Sequence, residues 1–307
     1  MDVSRREFLG RSAAIAASLA VPNLAMPDES SKKLATRPFG STGFKASIYT
    51  LGTAEVPSTA EAVTAIRALI AGGVNMIDTA PSYMGTRSES TIGEAIQGVR
   101  RQLWISTKTL ERSADGAYRE IKESLARLRC GTIDLLQVHA VNDIRTLDSV
   151  LAKGGAVEGI ERAVREGLVR FIGITGHTRP EVILRAIERY PFTSVLIPIS
   201  AMDVHLNDFA TDVVPLANKG KIAVVAMKSL KGIERAKPGA FSAKDFIRYA
   251  LSQPVSTLNL GLRIPSEAEQ NLRTMLDFEP MKEAEQRSLV ASVASISTTR
   301  NLWWKSQ

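Results

Sequence analysis

From Arg37 onward, short runs of β-branched and apolar residues alternate with longer stretches of helical periodicity. An unbroken apolar run of a few residues indicates a buried strand, and an i, i+3, i+4 repeat indicates a helix. The pattern predicts a strand over 47–52 with a helix over 59–71, then 74–79 with 88–97, 103–107 with 114–128, and 133–138 with 156–166. It continues with 170–174 and a helix from Pro180 to 188, 194–199 with 209–218, 222–227 with 243–251, and 257–260 with 267–275. Pro180 suits a first helical turn, and Gly73, Gly131, Gly167 and Gly220 are expected as left-handed C-caps.

Eight such units at about 30-residue spacing predict an α/β fold, a closed (β/α)8 barrel. No Gly-x-Gly-x-x-Gly turn follows the first strand, which argues against an open dinucleotide-binding sheet. Segment 36–45 sets turn residues between apolar ones and is expected as a hairpin plugging the barrel floor. A terminal helix over 281–295 is expected outside the barrel, and the tail carries Trp303 and Trp304, which either pack that helix or close the pocket.

The length of 307 residues suits a single barrel, which typically needs about 250. A single cysteine, Cys130, excludes an internal disulfide framework and a cysteine-clustered metal site. The three histidines show no metal-ligand spacing, so no metal is expected. Net charge is +7, and the first 26 residues contribute only three arginines against two acids. The folded part is therefore mildly basic, which suits an anionic ligand. Its acids and bases are interleaved, which speaks against nucleic acid as a partner. No run reaches the roughly 18 apolar residues of a membrane span.

Ser4-Arg5-Arg6-Glu7-Phe8-Leu9, followed by a mild alanine-rich stretch over 12–20, resembles a twin-arginine (Tat) export signal. Ser18-Leu19-Ala20 or Asn23-Leu24-Ala25 would be the cleavage site; the alternative is a basic amphipathic first helix. The resemblance implies a signal peptide and linker over 1–30, a barrel domain over 31–307, the twin-arginine translocation machinery as a partner, and a periplasmic address.

Four residues carry the candidate chemistry: Asp78, Tyr83, Lys108 and His139. Each lies at, or one turn past, the end of a predicted strand, where barrel ligands bind. Taken singly, they also read as a helix cap, a loop anchor, a solvated strand end and a core histidine. Together, an acid, a phenol, an amine and an imidazole can hand a proton to a carbonyl. A carbonyl accepts hydride readily only if its oxygen is hydrogen-bonded or protonated as charge develops. A phenol of pKa about 10 is a weak acid at neutral pH. Lys108, clamped by Asp78, is expected to lower the pKa of Tyr83, with His139 orienting the carbonyl.

Asn75-Met76-Ile77-Asp78-Thr79-Ala80-Pro81-Ser82-Tyr83, Ser106-Thr107-Lys108, Gln137-Val138-His139 and the hairpin Arg37-Pro38-Phe39-Gly40-Ser41-Thr42-Gly43 resemble the aldo-keto reductase family over about 37–275. The resemblance implies a metal-independent reductase of an aldehyde or ketone, or the reverse reaction, using NADP or alternatively NAD. It also implies a cofactor bound at the ends of the fifth to eighth strands. Thr175 keeps a hydroxyl for the carboxamide, Gly176 replaces an asparagine, Leu196 replaces a glutamine and Ser200 an asparagine. Ala226-Met227-Lys228-Ser229-Leu230 takes the place of Ala-Tyr-Ser-Pro-Leu: Met227 replaces the stacking ring and Lys228 is within reach of a phosphate. Gly261, Arg263, Glu267 and Asn271 match the adenosine end, with Arg263 the local candidate for a 2′-phosphate. His177 is read either as lining the mouth or as bonded to backbone. Two other readings remain: an exported barrel that binds the cofactor as a sensor without turnover, and an isomerase or lyase using the same acid–base set.

Overall fold

The computed structural model describes residues 32–236 and 241–306. The twin-arginine stretch and both candidate cleavage sites lie outside the described residues.

A two-stranded antiparallel hairpin, β1 (Thr36–Pro38) and β2 (Lys45–Ser47), precedes the barrel. Eight parallel strands then close on themselves: β3 (Tyr49–Gly52), β4 (Met76–Asp78), β5 (Trp104–Thr109), β6 (Ile133–Val138), β7 (Val169–Thr175), β8 (Ser194–Pro198), β9 (Ala223–Met227) and β10 (Thr257–Gly261), with β10 pairing back onto β3. The connecting helices are α1 (Ala60–Ala71), α2 (Arg87–Ala95), α3 (Ala114–Leu128), α4 (Ile144–Leu151), α5 (Ala156–Arg165), α6 (Pro180–Arg189), α7 (Phe209–Asp212), α8 (Val214–Lys219), α9 (Lys231–Ala236), α10 (Ala243–Ser252) and α11 (Ser266–Leu276), before the terminal α12 (Glu283–Val293). The expected (β/α)8 barrel is the observed fold.

Three details depart from expectation. A helix not foreseen, α4, fills what reads as a long loop; Asp143 caps it by accepting from Thr146 N at 2.9 Å, and Leu147 and Val150 are its buried positions. The helix expected over 209–218 breaks into α7 and α8 just before Pro215, whose missing N–H and fixed φ favour a fresh first turn. Gly73 and Gly167 are left-handed as expected, but the left-handed residue after α3 is Arg129 rather than Gly131, and Lys221 rather than Gly220 after α8. In both cases a non-glycine residue turns the chain.

The strands bury side chains on both faces, as parallel sheets do. Their outward faces pack with the helices into one continuous aliphatic core. A second cluster, holding Met76, Trp104, Leu135, Leu196, Val225 and Met227 with Phe39 of the hairpin, is drawn from five barrel strands. Phe44 stacks on Trp104 at 4.7 Å and Trp104 on Phe171 at 5.3 Å, so the hairpin closes the floor with aromatic surface. Leu302 and Trp304 of the tail are fully buried against Met202, Ile233, Phe246 and Val293.

Candidate active site

Period-two alternation sets this site. On β5, Ser106 and Lys108 point the same way, as do Gln137 at the end of β6 and His139 just beyond it. Gly52, at the end of β3, pairs with Asp78 in register and leaves room for a neighbour: a Cβ there would lie 2.0 Å from Asn259 Oδ1. The side chain of Asn259 uses that space to reach Asp78.

Asp78 is the hub. Its Oδ2 accepts from Lys108 Nζ at 2.5 Å and Asn259 Nδ2 at 2.8 Å, and its Oδ1 accepts from Ser106 Oγ at 3.0 Å and Gln137 Nε2 at 2.8 Å. Lys108 also donates to Thr79 O at 2.8 Å. Both members of the pair are almost wholly buried, with side-chain exposures of 1% for Lys108 and 3% for Asp78. Burial works against the Lys108 charge, but the Asp78 carboxylate and then Tyr83 outweigh it, so its pKa lies above the ordinary lysine value.

Tyr83 opens a short 3-10 turn five residues after Asp78. The Lys108 ammonium lies 4.7 Å from its ring centroid, in cation–π range. The expected lowering of the Tyr83 pKa is corrected. Burial is the largest influence and raises it; Lys108 pulls it down, Asp78 pushes it up, and the result lies above the ordinary phenol. The clamp that holds Lys108 in place also cancels much of its field at Tyr83.

His139 meets Tyr83 edge-on with ring centroids 6.0 Å apart, and His177 continues the line at 6.2 Å. Burial, then the nearby Lys108, His177, Arg112 and Lys228, holds His139 well below the usual imidazole range. Burial and the charges of Lys228, Lys108 and Lys305 push His177 down to about 3. Both rings are neutral at pH 7, and His139 Nδ1 is buried without a protein partner. A neutral imidazole can donate from one nitrogen only, which suits a carbonyl oxygen.

Left-handed backbone gathers at this end of the barrel: Met84 (φ 50°), Gly85 (φ 61°) and Thr86 (φ 70°) follow Tyr83, Ala140 (φ 54°) follows His139, and Lys228 (φ 61°) follows Met227. Strained non-glycine positions of this kind concentrate at working sites.

The residues matched to a nicotinamide cofactor divide into two groups. Thr175 Oγ1 accepts from Ala140 N at 2.8 Å and is fully buried; Met227 is 8% exposed, and a Cβ at Gly261 would meet open space. Met227 and Gly261 therefore leave surface for a flat ring and a close-lying phosphate or ribose, whereas Thr175, expected to hold the carboxamide, presents none. Gly176 is required by packing, since a Cβ would come within 2.7 Å of Ile183 and 3.0 Å of Val141 O. Of the remaining residues, Ser200, Arg263, Glu267 and Asn271 are engaged elsewhere, whereas the Lys228 amine has no hydrogen-bond or ion-pair partner among the described residues. Ser200 Oγ donates to Asp203 at 2.9 Å, Arg263 pairs with Glu267 and Glu234, and Asn271 Nδ2 donates to Gly261 O at 3.2 Å. Among the described residues, no group of three or more His, Cys, Asp or Glu side chains could hold a metal ion.

Ser106, Gln137 and Asn259 are functional residues that the sequence reading missed. The available signal was their spacing two residues before Lys108 and His139, and the inward register of Asn259 opposite Thr50.

This fold and polar hub match a known family. The aldo/keto reductase family model matches residues 48–238, and the chain belongs to that family of oxidoreductases. L-galactose dehydrogenase from Arabidopsis thaliana is 25% identical over 317 aligned positions, covering 89% of this chain and 98% of that protein. The aldo-keto reductase AKR11C1 from Bacillus halodurans, in its holo form, superposes with a TM-score of 0.71 at 21% identity over 86% of this chain and 96% of that one. An aldo-keto reductase from Klebsiella pneumoniae in complex with NADPH gives 0.68 at 20% identity, covering 86% of this chain and 95% of that one.

Two measurements check the electrostatics. Asp78→Asn leaves a buried ammonium uncompensated and is expected to cost about 3–5 kcal/mol in urea unfolding, whereas Asp78→Asn with Lys108→Met recovers most of that loss. A single variant as stable as the parent would show that the pair is not a buried ion pair. The neutral histidines act at acid pH. The folded pKa of His177 is depressed, so the unfolded chain binds the proton first below about 6.5, and stability falls as pH drops from there toward 3. His177→Phe should flatten that slope in denaturant midpoints taken at several pH values.

Proposed function

We propose that the chain reduces an aldehyde or ketone, or oxidises the corresponding alcohol, with Tyr83 as the proton donor. The observation that carries the reading is the four-donor cradle on Asp78, which fixes Lys108 against the Tyr83 ring. Lys108 favours the phenolate that remains after proton transfer, and Asp78 keeps Lys108 charged and immobile. His139 presents a neutral N–H to the substrate oxygen as charge builds there.

The family resemblance and the Klebsiella relative's NADPH support NADP as the cofactor, with NAD as the alternative. When bound, it would supply the hydride. Met227 would face its nicotinamide end, and Gly261, Glu267 and Asn271 its adenosine end. Arg263 reaches a 2′-phosphate only by releasing Glu267. Tyr83→Phe is expected to lower kcat for NADPH-dependent carbonyl reduction by about 10²–10⁴ while nucleotide binding persists. Nucleotide binding with no turnover in the unaltered protein, across a broad carbonyl panel, would favour the sensor reading instead.

The export reading rests on Arg5-Arg6-Glu7-Phe8-Leu9 and the alanine-rich stretch after it. On that reading residues 1–30 are a signal and linker, 31–307 form the mature barrel, and the product is periplasmic. Arg5→Lys with Arg6→Lys should leave the protein in the cytoplasmic fraction; unchanged fractionation would remove the twin-arginine assignment.

A further inference from the structure

The rim of β9 carries a cation that takes no part in the Asp78 hub. Lys228 Nζ sits 4.8 Å from the ring centroid of Trp303 and 4.9 Å from that of Trp304. It makes no hydrogen bond or ion pair among the described residues. The indoles are held from below: Trp304 and Leu302 are fully buried, and Lys305 forms a buried ion pair with Asp203 at 2.9 Å and donates to Asn207 O at 2.8 Å. The tail therefore builds a rigid aromatic wall against one amine.

Charge bookkeeping around the mouth isolates that amine further. Asp78 neutralises Lys108, and Asp203 neutralises Lys305. Arg112 spends one nitrogen on His139 O at 2.8 Å and Ala140 O at 3.4 Å, while its Nη1 is buried without a partner. The carboxylate in range of Arg112, Asp143, is occupied with capping Thr146. Two cations without a contacting acid thus lie beside the neutral His139–His177 pair. Burial pushes Lys228 down to about 8; Asp203 opposes this, and Lys231 and Lys305 reinforce it. The backbone at Lys228 is left-handed, φ 61°, so the amine is aimed here at the cost of strain. A desolvated cation of this kind gains most from an oxyanion, which forms short charge-assisted hydrogen bonds with it. A neutral aldehyde would leave it unanswered.

We propose that the carbonyl substrate carries a carboxylate, which Lys228 receives between the two indoles and the His177 ring, with Arg112 as the second cation of the same mouth. The proposal rests on the reductase reading above. Tyr83, His139 and His177 follow one another with centroid steps of 6.0 and 6.2 Å, and the Lys228 charge is close enough to depress both imidazoles, a span that suits a short-chain oxo acid. A nucleotide phosphate is the other source of the same oxyanion chemistry, and the experiment separates the two.

Succinic semialdehyde and its methyl ester, differing in charge at the far end, are compared as substrates with NADPH, alongside NADPH affinity measured by nucleotide fluorescence. The unaltered protein should prefer the anion by at least about tenfold in kcat/KM, near 1.4 kcal/mol. Lys228→Met should bring that ratio to about one, and Lys228→Arg should retain it. Equal rates for the two substrates in the unaltered protein overturn the proposal. So does a Lys228→Met variant that weakens NADPH binding while the charged-to-neutral ratio stays put, since the amine then serves the nucleotide. A turnover-independent arm titrates succinate against the tryptophan fluorescence of the full chain. Saturable quenching lost in Lys228→Met supports the carboxylate site, and no saturable signal counts against it. Succinate binding through Lys228 without any nucleotide oxidation would sink the reductase reading alone.

Discussion

One carboxylate organises the mouth of this barrel. Asp78 collects donors from β5, β6 and β10 and holds a fully buried ammonium beside a phenol. A charge pair taken this far from water stabilises the fold only if its remaining hydrogen-bonding capacity is also met. Ser106, Gln137 and Asn259 meet it on the Asp78 side and Thr79 O on the Lys108 side. Because these partners come from separate strands, the barrel must be closed and in register before the pair is satisfied. The site and the fold are therefore set by the same contacts.

The arrangement trades acidity for position. Burial and the Asp78 charge leave Tyr83 a weaker acid than a free phenol, with Lys108 opposing them. In the reaction we propose, its proton would become transferable when a developing alkoxide lies against it, the work being done by geometry and by a phenolate that Lys108 favours after transfer. A neutral His139 fits the same proposal, since it could offer an N–H to oxygen without adding a competing positive charge.

Much of this was legible along the chain, for physical reasons. Parallel strands buried on both faces read as apolar runs, and polar residues ending those runs stand out against them; this is how Asp78, Lys108 and His139 declare themselves. Tyr83 is found through its fixed distance from Asp78. The supporting residues are harder to see. Ser106 and Gln137 are ordinary polar residues until the two-residue strand period places them on the same face as Lys108 and His139. Asn259 is invisible without knowing that the last strand pairs with the first and that Gly52 leaves it space. The direction of the Tyr83 shift depends on burial, which no spacing reveals. The indole wall at Lys228 depends on a tail folding back across about 75 positions, and tertiary packing alone decides that. Likewise, the engagement of Ser200 and Arg263 with neighbouring acids is a property of the folded loops, not of the motif they resemble.

The central claim is that Lys108 is an ammonium throughout the working range because Asp78 holds it so. The direct measurement is the nitrogen-15 NMR titration of the Lys108 side chain, assigned by comparison with Lys108→Met. The account predicts a protonated amine from pH 6 to about 10, consistent with a pKa above the ordinary lysine value. An amine that loses its proton near neutral pH would contradict it.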